Sequence, residues 1–424
     1  SVMERAGGSV VLSGLAIGGY ALGSLVSMPL VAFLSRRSFR QALLFMATVA
    51  VLGNAAYDLM GSLRGAWAIA GLILARVLCG AEGGISIMFG SAIVHLSSGT
   101  FTAKGMAEIL LSGCVGVVLG PSLSSASQFC LPGAPPEIPP AAVMIAFAGA
   151  YGACVWVCFP SQAECFALAG VPDPELRPLS SEAAPAPARL RSAWLYTAVL
   201  CSQFLVRSFQ RVSWEAGVLL LLVQNYGISK TAAGFVVSVP VMCSLPIITF
   251  AGRLHKLGPE WAIRLLSFVE FLGLVLMFQV GELGGLGPLV MLMVGSTLLY
   301  AANWISNVPL APLRRRICIR DHWALNVEGV TGLNLAMSFG GSFYGPVVSR
   351  AVLGVSMKQN LLVASLALAW LGCFLAVELG VQVLLQDERA GQGVGARGRE
   401  GGSCQNDVGL NDGKRTERAE KAAG

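Results

Sequence analysis

Apolar runs of about twenty residues follow one another along the chain, separated by short segments that collect Arg, Lys, Gly and Pro. A bilayer's hydrocarbon core is ~30 Å thick, and a helix rises 1.5 Å per residue, so about twenty mostly apolar residues are needed to cross it. The runs that meet this are Ser9–Leu34, Ala42–Met60, Ala66–His95, Met106–Cys130, Ala141–Phe159, Ala193–Gln224, Thr231–Ala251, Trp261–Val280, Leu286–Ala311, Val327–Val352 and Leu361–Leu385, eleven predicted spans. Helices are required because lipid offers backbone amides no partner. The first run is too long for a signal-peptide core, and no small-residue cleavage site follows it.

Composition sharpens the picture. The 424 residues are 55% apolar and 12% charged, with mean hydropathy +0.69. A soluble domain carries about 25% charged residues. The net charge of +6 is not a nucleic-acid signal, because the basic residues sit in short loops between apolar runs. One set of loops holds Arg36, Arg37, Arg40, Lys104, Arg177, Arg189, Arg191, Arg253, Lys256, Arg264, Arg314, Arg315, Arg316 and Arg320. The opposite set holds Arg5, Arg64, Lys230, Arg350 and Lys358. The first set is therefore expected in the cytosol. This puts Ser1 outside and leads to the expectation of one further helix before it, without which the chain is not expected to transport. Residues 386–424, rich in Gly and charge, are expected to be a disordered cytosolic tail.

The chain also echoes itself. Gly116-Val-Val-Leu-Gly120-Pro121 and Gly341-Ser-Phe-Tyr-Gly345-Pro346 are both G-x-x-x-G-P, in spans that run outward from the cytosol. Glycines four apart clear one face for close helix approach, and proline bends the chain there. A proline-rich segment, 161–192, reads as a flexible cytosolic linker between residues 1–160 and 193–385. With one helix restored the count is six plus six. The eleven cysteines form no C-x-x-C pair, and the three histidines are scattered, so neither a metal site nor a cofactor is expected. No nucleophile–base pair argues for an enzyme.

These features resemble the major facilitator superfamily over nearly the whole chain before the tail. Leu72-x-x-x-Arg76-x-x-Cys79-Gly80-x-Glu82-Gly83-Gly84 is similar to the family's fourth-helix motif, which implies a coupling or gating role for Arg76. Gly116 to Pro121 is similar to the fifth-helix motif tied to gating. Ala32 to Arg40 stands where the family has its loop motif. Only Arg37 and Arg40 match there, since Arg36 replaces an acid and Ala32 and Phe39 replace glycines. Gly14 to Leu30, with Ala75 to Gly80, resembles the lysosomal ceroid-lipofuscinosis-type group, itself similar to vacuolar SPX-type carriers. The resemblance implies two six-helix halves rocking about a midplane site in a vacuolar or lysosomal membrane. It implies the lipid bilayer and a small-molecule or ion substrate as partners. An anion channel or a non-transporting scaffold on the same frame are the alternatives.

Ionisable residues at membrane depth are functional candidates. Gln203, Arg207, Arg211 and Glu215 recur at spacing four and predict one polar stripe, with Gln210 and Trp214 beside it. The stripe either lines a central cavity or knits helices through an Arg211–Glu215 pair. Arg76 lies near the centre of its span, and Glu82, six positions on, falls off its face. Tyr300, Asn303, Trp304 and Asn307 form an aromatic–amide face that serves packing or substrate. Glu270 and Glu378 are expected as protonated or paired structural carboxyls. The surplus of arginine favours an anionic solute, with proton coupling as an option.

Overall fold

The computed structural model describes residues 2–86, 100–130, 138–169, 187–249, 259–279, 286–306, 318–319 and 322–400. Asn307, the loop residues Arg253 and Lys256, and the span ends predicted to reach His95, Ala251, Val280 and Ala311 lie outside them. Every regular element among the described residues is helical. After a single turn over Val2–Arg5 come α1 (Val10–Arg37), α2 (Phe39–Gly61), α3 (Ala66–Gly80), α4 (Thr100–Cys130), α5 (Ile138–Cys158) and α6 (Gln162–Ala169). They are followed by α7 (Pro187–Gln224), α8 (Lys230–Thr249), α9 (Pro259–Met277), α10 (Leu286–Ile305), α11 (Val327–Val355) and α12 (Gln359–Glu400).

Among the described residues seven helices are long and apolar enough to cross a membrane: α1, α2, α3 with its following turn to Gly84, α5, α8, α10 and α12. α4, α7, α9 and α11 stand at the other four predicted spans. α7 is 38 residues long, and its polar stripe is what keeps it below that level of apolarity. Large apolar side chains face outward as well as inward, and several polar ones are enclosed. Leu74, Phe147, Val157 and Leu368 are exposed, whereas Ser24, Gln203, Gln210 and Glu270 are buried.

Three sequence expectations are corrected. The span from Ala66 does not continue as one α-helix: it tightens into a 3-10 turn at Ala81–Gly84. The hydroxyls of Ser24 and Ser27 on α1 donate to the carbonyls of Gly80 (2.8 Å) and Ala81 (2.9 Å), competing with the α ladder there. Gly80, Gly83 and Gly84 add little helix propensity to resist this. The linker is not wholly irregular either. Ser161 and Glu164 form a reciprocal capping box, which starts α6. Finally, the last helix does not close at Leu385 but runs to Glu400, with no proline to stop it.

The chain divides into two compact units, Ser1–Glu378 and Leu379–Gly424. The second is helical to Glu400. Within the first, α11 packs along α7 on one side and α1 on the other, and α4 packs along α8. Backbones meet closely where side chains are absent. A Cβ on Gly80 would lie 1.8 Å from the Tyr20 carbonyl oxygen, and one on Gly18 would lie 2.5 Å from that of Phe343. Between α4 and α8 the seam is polar, with Ser122 donating to Ser238 at 3.1 Å and Ser238 to the Val118 carbonyl at 3.1 Å. The largest dry core lies among the later helices, around Trp214, Leu221, Leu222, Met277, Leu299 and Leu366.

Candidate functional site

The α7 residues predicted as one stripe do not share one environment. With 3.6 residues per turn, a row at spacing four slews by about 40° per step, hence by about 120° from Gln203 to Glu215. Gln203 (2% exposed) and Arg207 (7%) turn into the later helices. Gln203 Nε2 donates to Cys373 Sγ on α12 at 2.8 Å, and Gln210 Nε2 donates to the Leu366 carbonyl at 3.2 Å. Arg207 faces the buried carboxyl of Glu270 on α9.

Arg211 and Glu215 turn elsewhere, toward α10. The Arg211 guanidinium carbon sits 4.9 Å from the centre of the Trp304 ring. Its Nε is 3.9 Å from Glu215 Oε1, beyond hydrogen-bond reach, and the two side chains are 27% and 30% exposed. Among the described residues Arg211 donates no hydrogen bond. Tyr300, buried one turn before Trp304, directs its hydroxyl group at Glu215. α4 reaches the same place, since a Cβ on Gly113 would lie 3.5 Å from the Trp304 ring. Arg211, Glu215, Tyr300 and Trp304 thus gather where α4, α7 and α10 converge. Asn303, from the same predicted face, is buried and donates Nδ2 to its own helix at Leu299 (3.1 Å).

A second cluster forms in the earlier helices. The Arg76 guanidinium lies over the Tyr57 ring at 4.5 Å. Glu82, displaced by the 3-10 turn, accepts from the Tyr20 hydroxyl at 3.0 Å. Each cluster therefore holds a cation against an aromatic face, beside a carboxylate directed at a tyrosine. Such stacking leaves the edge of the guanidinium, where its donors are, open to a ligand.

The gating and packing candidates divide. Gly80, Gly341 and Gly345 are close-approach sites: a Cβ on Gly341 would lie 2.0 Å from the Leu205 carbonyl oxygen, and one on Gly345 would lie 2.9 Å from that of Phe209. A Cβ on Gly14 would lie 2.6 Å from the Pro346 carbonyl oxygen. In the other copy of the motif the expectation is corrected. Among the described residues nothing lies within 4 Å of a Cβ on Gly116 or Gly120, while the Pro121 carbonyl lies against α8 at Gly234. Arg37 covers the Phe33 ring at 4.5 Å, and Arg40 covers Trp156 at 5.0 Å while donating to the Trp156 carbonyl.

Sequence reasoning missed three partners. Glu328, in the first turn of α11, forms a 3.0 Å ion pair with Arg36 at the end of α1. The acid-to-Arg change at position 36 was its only trace. Tyr20 and Tyr57 looked like ordinary aromatics in apolar runs. Glu378, expected to be paired, receives a two-point contact from Arg264, Nε and Nη2 each at 2.8 Å. Among the described residues no group of three His, Cys, Asp or Glu converges to hold a metal ion.

No protein-family model matches the chain, and no curated protein matches it. Among solved structures it is similar to the human organic anion transporter MFSD10 (TETRAN), with TM-score 0.60 and 17% identity, over 86% of this chain and 83% of that one. At that identity the likeness speaks to the fold. The fold is a major facilitator one, all-helical and polytopic.

Proposed function

We propose that the chain is a secondary transporter that moves a small organic anion by alternating access, with Arg211 as the residue that takes the anionic group. The supporting observation is a partly exposed guanidinium on α7, stacked on Trp304, with its donor edge unspent. A cation at membrane depth is costly unless something uses it. Its planar fork suits a carboxylate, which it can bind at two points. The solved transporter of like fold, described as an organic anion transporter, supports the same substrate class. Arg76 on Tyr57 is the matching contact in residues 1–160, and the two halves, 1–160 and 193–385, rock about these clusters. Gly14 to Leu30 supports a lysosomal or vacuolar membrane, with the Arg-rich loops in the cytosol.

The test is uptake of labelled aromatic and aliphatic carboxylates into proteoliposomes. A bidentate charge-assisted contact is worth about 1.5–3 kcal/mol, so Arg211→Gln should weaken apparent solute affinity by roughly ten- to a hundredfold. Arg211→Lys, keeping charge but not the fork, should recover only part. Unchanged affinity in Arg211→Gln overturns the assignment, and steady current without saturable uptake favours a channel.

A further inference from the structure

Charged groups in this bundle are handled in two ways. On α9, Arg264 meets Glu378 through two hydrogen bonds, a closed pair that serves packing. On the same helix Glu270 is 2% exposed and faces Arg207, itself 7% exposed. No hydrogen bond joins them. All three guanidinium nitrogens of Arg207, and Oε1 of Glu270, lack a hydrogen-bonding partner among the described residues. A buried cation and a neighbouring buried carboxylate would be drawn into direct contact if both were charged, since each otherwise bears its full desolvation cost. A carboxylic acid would not be drawn in. The open geometry therefore fits a protonated Glu270.

We propose that Glu270 is a proton-binding site of this carrier and that Arg207 senses its charge. A proton entering from one side of the membrane converts the carboxylate to the acid and frees Arg207. Its release to the other side restores the carboxylate, which pulls the guanidinium in and draws α9 toward α7. Arg207 lies one turn before Arg211 on α7. Protonation leaves the Arg207 charge uncompensated and so favours an anion arriving at Arg211. By reciprocity the anion then favours the proton, and the two travel together. The remaining groups around the carboxyl do not replace it. From α7 come the neutral amides Gln203 and Gln210, and from α12 comes the Cys373 thiol, which is bonded to Gln203. On α10, Tyr300 is directed at Glu215, and Arg264 on α9 is engaged with Glu378.

This inference rests on the transport reading, so its test carries one readout that does not need transport. Infrared titration of the purified full-length chain should show a buried protonated carboxyl band that shifts in D2O, fades as pH rises and is missing in Glu270→Gln. In proteoliposomes, uptake by the unmodified chain should rise about tenfold per unit of inward pH gradient at equilibrium. Glu270→Gln should abolish that rise while solute exchange across equal pH persists. Arg207→Lys should keep the band but move its midpoint, which supplies the answer if Glu270→Gln does not fold. A band retained in Glu270→Gln, or none that titrates in the unmodified chain, overturns the proposal. So does an intact gradient response in Glu270→Gln. If no solute moves at all, the transport reading fails while the infrared result still decides the proton site.

Discussion

At the scale of single residues, what a side chain meets matters more than its place in a motif. Gly120 and Gly341 stand in two copies of G-x-x-x-G-P. A methyl on Gly341 would run into the Leu205 carbonyl, a backbone atom that cannot step aside, while one on Gly120 would meet nothing within 4 Å among the described residues. Gly341→Ala is therefore expected to force α11 off α7 and cost about 1–3 kcal/mol, as overpacking does. Gly120→Ala should be neutral or slightly stabilising, by up to about 1 kcal/mol, because alanine is the better helix former. Thermal unfolding of the two variants in detergent compares them directly. Equal destabilisation would mean that Gly120 meets a partner in another state of the protein.

At the scale of elements, hydroxyls and caps decide where helices stop and start. Ser24 and Ser27 reach from α1 to the carbonyls that end α3, and the resulting turn carries Glu82 to Tyr20. The start of α6 is a cap of the opposite kind. The Ser161 backbone N–H donates to Glu164 Oε2 at 2.6 Å, and this bond holds the Glu164 carboxyl below its ordinary value. A carboxyl lowered in the folded state adds stability above its unfolded pKa and loses it as pH falls through the folded one. Protection of the first α6 amides against hydrogen exchange should accordingly be full at neutral pH and decay in acid, below the ordinary carboxylate range. Glu164→Gln should flatten this pH dependence. A profile unchanged by the substitution would remove the cap as the cause.

At the scale of the whole molecule, the seams between the earlier and later helices differ in chemistry. α4 and α8 are joined by serine hydroxyls and small residues, and α1 and α11 by close glycine contacts and the Arg36–Glu328 pair. The pair's side chains are 74% and 37% exposed, so it contributes roughly 0.2–1 kcal/mol. That is enough to bias a balance between two near-equal states, though not to hold the fold. Arg36→Glu should raise the reactivity of cysteines placed at the Arg36 end of the seam several-fold, and adding Glu328→Arg should restore it. Failure of the double variant to restore closure would show that the pair does not act as a unit.

How much of this was legible in the chain follows from the range of the forces involved. The all-helical class and the places of the long apolar helices were readable, because lipid imposes one rule on every stretch of twenty residues. Arg211 was named from the sequence for the same reason, as a costly group inside an apolar run, and Trp304 as part of an aromatic–amide face. The division of the stripe at Arg207 was not readable. It depends on a slew of about 40° per step meeting two different neighbours, α9 and α10. Nor was the difference between the two glycine motifs, since a glycine's worth is set by the backbone opposite it. The pairings Arg36 with Glu328 and Tyr20 with Glu82 join residues 292 and 62 positions apart. Local pattern carries no information at that distance. The sequence by itself determined which residues must leave the lipid. Only the tertiary structure decided which of them met, because partners are chosen by packing across helices that the chain's own periodicity does not describe.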